Sequence, residues 1–119
     1  MMGFNLEEDG CVIEFANGLA VSVRWSAFHY CEARAKMRNV ASTAERLRKA
    51  VSSMTAEVAV MFKGAVVSDV YGYLTPYDVV TLMAIVRDYS LPSKVALGPY
   101  DMCTFPLLTK QIKEEVTAW

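Results

Sequence analysis

The sequence predicts an α+β domain: an antiparallel sheet built from two hairpins, with an amphipathic helix packed on it and a C-terminal helix. Three observations predict it. Two alternating runs flank Asn17-Gly18. A second pair of strand-like runs flanks Gly64. A capped, apolar helical pattern comes directly after. Strands joined by short turns, with helices appended rather than interleaved, require no parallel crossover unit.

The first hairpin is read from "CVIEFANGLAVSVRW". Asn-Gly is the preferred pair for a two-residue type I′ turn, where both central residues adopt positive φ. Strands are expected at about 11–16 and 19–26. Alternation puts Cys11, Ile13 and Phe15 on one face of the first strand. In the second, Leu19, Val21, Val23 and Trp25 share a face opposite Ala20, Ser22, Arg24 and Ser26.

The second pair is read from "AEVAVMFKGAVVSDVYGYL". Val58, Val60 and Phe62 alternate with Ala59, Met61 and Lys63, and Gly64 marks the turn. Val66, Val70 and Gly72 then alternate with Val67, Asp69, Tyr71 and Tyr73. Between the pairs, 37–55 reads as a loop containing a short basic helix, "STAERLRKAVSSM". There Ser42 or Thr43 can cap, and Leu47 and Val51 lie four apart.

In "TPYDVVTLMAIVRDYSLP", Thr75 is the expected N-cap, Pro76 takes the first helical position, and Asp78 completes a capping box. Val79, Leu82, Met83, Val86 and Tyr89 form the apolar stripe, widened by Val80 and Ile85, and Pro92 ends the helix. Gly98 and Pro99 break the chain. Pro106 opens a last helix through about Val116, with Leu108, Ile112 and Val116 spaced by four.

A chain of 119 residues implies one domain, spanning 1–119. Hydrophobic residues make up 54%, which implies a very apolar core or a surface buried in a homo-oligomer. From Arg34 to Lys49 six cations and one acid give +5, which leaves −6 for the rest of a chain whose total is −1. A basic cluster on an acidic chain suits a small anion better than duplex nucleic acid, where basicity dominates the domain. A solvated basic face is the plainer alternative. Cys11, Cys31 and Cys103 form no CxxC, and with one histidine they make no zinc site. The opening "MMGFNLEEDG" lacks an apolar signal core, and no run is long enough to span a membrane. A cytoplasmic protein with reduced thiols is expected.

Catalytic machinery is not legible. His29 is the only imidazole, and Cys31 lies two residues away without a geometric requirement to meet it. There is no Gly-x-Ser-x-Gly elbow, no HExxH and no phosphate-cradling glycine loop, and the strand carboxylates are not paired by spacing. Neither an enzyme nor a metal or organic cofactor is expected. A binding site is better supported. Trp25, Phe28, His29 and Tyr30 can stack a base. Arg24, Arg34, Lys36 and Arg38 can meet phosphates, with Arg46 and Arg48 adding charge. Met61 and Phe62 can line a base pocket at a strand end. For Met61, Phe62 and Trp25, plain core is the simpler role.

The segments "FANGLAVSVRWSAFHYCEAR", "AEVAVMFKG" and "DVYGYLTPYDVVTLMAIV" resemble, in this order, small phage proteins of the first Thoeris anti-defence family. The resemblance covers roughly half to two-thirds of the chain and leaves out 37–55 and the tail after Tyr89. It implies an oligomeric sponge in the cytoplasm of an infected bacterium. Such proteins sequester, without cleaving, cyclic ADP-ribose isomers made by TIR enzymes, and some also hold cyclic oligonucleotides of CBASS defence. "HYCEAR" and "DVYGYLTP" are the matching motifs, so His29, Tyr30, Arg34, Tyr71 and Tyr73 gain weight as ligand residues. "WSAFHYC" departs from the pattern by lacking glycines, which changes the expected loop shape. Two other readings stay open: a phage protein that inhibits a host protein through its apolar helix and basic loop, and a hydrolase of the same signals.

Overall fold

The computed structural model describes residues 3–7, 10–25 and 53–116. They form an antiparallel six-stranded sheet and two helices, an α+β fold. The strands are β1 (Gly3–Glu7), β2 (Gly10–Glu14), β3 (Leu19–Arg24), β4 (Ala56–Phe62), β5 (Ala65–Val66) and β6 (Tyr71–Leu74). The helices are α1 (Pro76–Asp88) and α2 (Pro106–Glu115).

The sheet runs β1-β2-β3-β4, and β5 and β6 succeed one another along the outer edge of β4. The two expected hairpins are present, and β1 adds a third that the sequence did not signal. β1 and β2 pair without a break from Gly3–Glu14 to Glu7–Gly10. Gly10 sits so close to β3 that a Cβ there would collide with the carbonyl of Val23.

The β2–β3 turn differs from the type I′ expectation. Phe15 N–H donates to Leu19 O at 2.8 Å, and Gly18 N–H to Phe15 O at 3.0 Å, so three residues close the hairpin. Gly18 alone carries positive φ, +91°. The reason is the Asn17 side chain. Its Oδ1 accepts from Leu19 N–H at 3.0 Å. Its Nδ2 donates to the carbonyls of Val86 at 2.7 Å and Tyr89 at 3.0 Å, at the end of α1. At this helix end the Val86 carbonyl otherwise receives only the long 3.4 Å bond from Tyr89 N–H, so one amide ties the hairpin to the helix. The type I′ geometry occurs instead at Lys63-Gly64, where φ is +49° and +80° between the paired Phe62 and Ala65.

The core lies between one sheet face and the helices. Leu19, Val21, Val23, Val58, Val60 and Phe62 alternate into it, as their spacing predicts. Between β5 and β6, Val67 N–H still donates to Val60 O at 2.9 Å, while the Ser68 hydroxyl accepts from Val60 N–H at 2.9 Å. The break therefore leaves β4 satisfied. In β6 a bulge places Gly72 and Tyr73 opposite Glu57, because Ala56 pairs with Leu74 but Val58 pairs with Tyr71. Tyr73 takes φ +58°, the parity flips, and Tyr71 and Leu74 both turn inward.

Helix α1 starts as predicted. Thr75 Oγ1 accepts from Asp78 N–H at 3.2 Å, and the Asp78 carboxylate accepts from Thr75 N–H at 3.2 Å. Leu82, Ile85 and Val86 are buried, and Val79, Met83 and Tyr89 are half-buried. Val80 departs from the expected stripe and is 65% exposed, because the helix seats on the sheet along its Leu82–Ile85–Val86 side. Helix α2 packs on α1 through Leu108 and Ile112, with Val116 buried beyond its last turn. Phe105 anchors its start. The Phe105 ring meets Phe62 edge-on at 5.2 Å and Tyr89 at 5.9 Å, and Tyr100 meets Phe62 at 5.0 Å.

Candidate functional site

Helix α1 packs on β3, β4 and β6 against one face of the sheet, and α2 packs on α1. The opposite face carries the alternate residues of the same strands. The register pairs Ala20 with Met61, Ser22 with Ala59 and Arg24 with Glu57. Of these, Ser22, Arg24, Glu57, Ala59 and Met61, with Val66 and Val70, line a groove of about 250 Å³. Ser22 is buried at its base, and Val66 and Val70 stand exposed on one wall.

Arg24 is fixed in this groove by its own strand. Its Nε donates to Ser22 Oγ at 3.1 Å, two residues back on the same face. Glu57 faces it from β4. The groove therefore offers one guanidinium, one carboxylate and one hydroxyl at one end, and Ala59, Met61, Val66 and Val70 as apolar floor and wall. A flat, partly apolar ring can lie on such a wall, and a guanidinium beside it can meet a phosphate.

A second concavity of about 260 Å³ lies near the start of α1, lined by Val23, Met54, Ala56, Leu74, Pro76, Val79 and Val80 together with Thr55. Its lining is almost wholly apolar, and Thr55 is its one polar side chain. It offers no charged group to orient a charged ligand.

The expected ligand residues divide sharply. Arg24 lies in the open-face groove. Trp25, next in sequence, is half-buried against the core on the helix side. The two do not converge: β3 ends at Arg24, short of the expected residue 26, and Trp25 just past its end turns to the core side. Phe62 is 5% exposed and enclosed by Tyr100 and Phe105, with Lys63 Nζ 5.3 Å from its ring centre. Tyr71 is fully buried. Burial pushes its phenol up to about 12, and the nearby Asp69 carboxylate adds to that, while Ser68 and the Asp69 backbone pull the other way. Phe62 and Tyr71 are thus core residues rather than ligand surface, since neither leaves ring area for a ligand to touch. Tyr73 is 45% exposed at the bulge. Phe28, His29, Tyr30, Arg34, Arg38, Arg46 and Arg48 lie outside the described residues, as does most of the expected basic helix.

Of the groove's apolar half, sequence reasoning named Met61 as a pocket residue, and it missed Ala59, Val66 and Val70. Their signal was present: Ala59 and Met61 alternate with buried valines, and Val66 and Val70 share a parity of their own. Such positions on a one-sided sheet are usually polar, so four apolar or small residues there mark a surface with something to cover.

Among the described residues no three metal-ligating side chains cluster, and Cys11 and Cys103 are free thiols. No helix among them is long and apolar enough to cross a membrane. Comparison of the chain with protein-family models, with curated proteins and with solved structures finds no match.

Proposed function

We propose that this protein is a phage anti-defence sponge that binds a cyclic nucleotide immune signal, a cyclic ADP-ribose isomer or a CBASS cyclic oligonucleotide, and holds it without cleavage. The reading includes a homo-oligomer acting in the cytoplasm of the infected cell. The family resemblance of the hairpin and helix motifs suggested it. The observation that carries it is the open-face groove, where Arg24 is braced by Ser22 beside the apolar wall of Ala59, Met61, Val66 and Val70.

The groove's chemistry assigns roles. A base lies against Met61, Val66 and Val70, and one phosphate meets the Arg24 guanidinium. Glu57, opposite Arg24, repels a second phosphate at that point. It accepts instead from a ribose hydroxyl or an exocyclic amine, which orients the ligand. Strands hold all these groups except Val70, which sits just before β6, so little ordering is needed on binding. Sequestration asks for affinity and for no reacting group.

The test is calorimetric titration with a panel of cyclic ADP-ribose isomers and cyclic di- and trinucleotides. The complex is then heat-denatured and the released ligand run by chromatography. The proposal expects saturable binding of at least one member and its recovery intact. A new product would make the protein a hydrolase, and absence of heat with every member would remove the sponge reading.

A further inference from the structure

The two edges of the sheet are built differently. The β5/β6 edge is blunted in three ways: β5 is two residues long, the chain leaves the ladder between Val66 and Tyr71, and the Gly72–Tyr73 bulge interrupts β6. Such irregularity is how proteins keep an edge from pairing with another chain. The β1 edge has none of it. "GFNLE" pairs with β2 through five consecutive positions without a register shift. It contains no proline, no lysine or arginine, and no bulge. Among the described residues no strand covers its outer side. Among the described residues α1 packs on β3, β4 and β6 and α2 packs on α1, so β1 lies beyond the described helices. Its Phe4 is 85% exposed.

We infer that β1 is a self-pairing edge: β1 of one chain joins β1 of a second copy, antiparallel, about a two-fold axis through Asn5. The sequence of the strand selects this register. Facing residues in an antiparallel pair share parity. Centring on Asn5 sets Gly3 opposite Glu7 and Phe4 opposite Leu6 of the second copy, and uses all five residues. The exposed Phe4 thereby gains an apolar neighbour, a favourable cross-strand pair. The one charge, Glu7, meets glycine. Centring on Glu7 would oppose two carboxylates, and centring on Phe4 or Leu6 would shorten the ladder. The contact is isologous and closes as a dimer. Because the opposite edge is blunted, the joined sheets form one twelve-stranded sheet and do not run on into a fibre.

The inference rests on the oligomeric part of the proposed function, and not on the ligand. Light scattering on the full chain reads it directly. The wild type is expected at twice 13.2 kDa or a multiple of that, and Phe4→Lys at half the wild-type mass with an unchanged far-ultraviolet spectrum. A second variant fixes the register. In a background with Cys11, Cys31 and Cys103 replaced, Asn5→Cys places one thiol on the two-fold axis and crosslinks to a disulfide dimer under mild oxidation, whereas Phe4→Cys does so far more slowly. A wild-type mass of 13.2 kDa at every concentration would overturn both the pairing and the oligomer. A wild-type oligomer that Phe4→Lys leaves intact, with no Asn5→Cys crosslink, would overturn the pairing alone. Calorimetry on the same samples reports the ligand reading separately.

Discussion

The two faces of this sheet are made by the same strands and do opposite things. On the helix side, Val21, Val58 and Val60 are fully buried, and α1, α2 and an aromatic cluster seal them. On the other side, Ser22, Arg24, Glu57, Ala59 and Met61 alternate with those valines and line an open groove. A period of two lets seven residues of β4 serve stability and recognition at once. Substitution at one face should therefore move folding and leave the groove intact, and substitution at the other should do the reverse.

The largest effect belongs to the sealed face. Phe105→Ala removes the ring that joins Phe62 to Tyr89, and should cost about 3–5 kcal/mol in urea unfolding. A cost below about 1 kcal/mol would mean that α2 is not seated as described. Asn17→Ala comes next. It removes the amide that donates to the Val86 and Tyr89 carbonyls and frees the turn, at about 1–3 kcal/mol by the same measurement.

Tyr71 sharpens the comparison through pH. Its folded value is raised to about 12 from the ordinary 10.0, so the folded state holds the phenolic proton more tightly. Its contribution is fully present below pH 10 and is lost as pH rises toward 12. Melting temperature recorded from about pH 9 upward should fall more steeply in the wild type than in Tyr71→Phe. Identical slopes would place the phenol in water.

The smallest effect on folding belongs to the open face. Arg24→Ala should change stability by less than about 1 kcal/mol, since a partly exposed polar contact contributes little. It should nonetheless weaken nucleotide binding at least tenfold, an outcome that no core substitution of similar stability would imitate.

Much of the fold was legible in the sequence, and the exceptions have physical causes. The capping box at Thr75–Asp78 and the Leu108–Ile112–Val116 row are local patterns, and both occur as read. The Asn17-Gly18 turn was placed correctly but assigned the wrong type. A contact with Val86 and Tyr89, about seventy residues away, holds the Asn17 side chain. The type I′ turn went to Lys63-Gly64, where only glycine signalled it. Strand β1 was invisible because "GFNLE" is short and has acids at its C-terminal end. The site was less legible than the fold. Trp25 and Arg24 look like one cluster in the sequence, but Arg24 lines the open groove while Trp25, just past the end of β3, packs on the core. Phe62 and Tyr71 carry suitable rings, but each is enclosed by contacts remote in sequence.

The most direct measurement is methyl-resolved NMR of the protein titrated with each cyclic nucleotide of the panel. The account predicts that Ala59, Met61, Val66 and Val70 methyls shift together and saturate with one ligand, while Val21, Val60 and Leu82 methyls, sealed beneath the helices, stay in place. Shifts confined to Val23, Val79 and Val80, or no shift with any ligand, would contradict it.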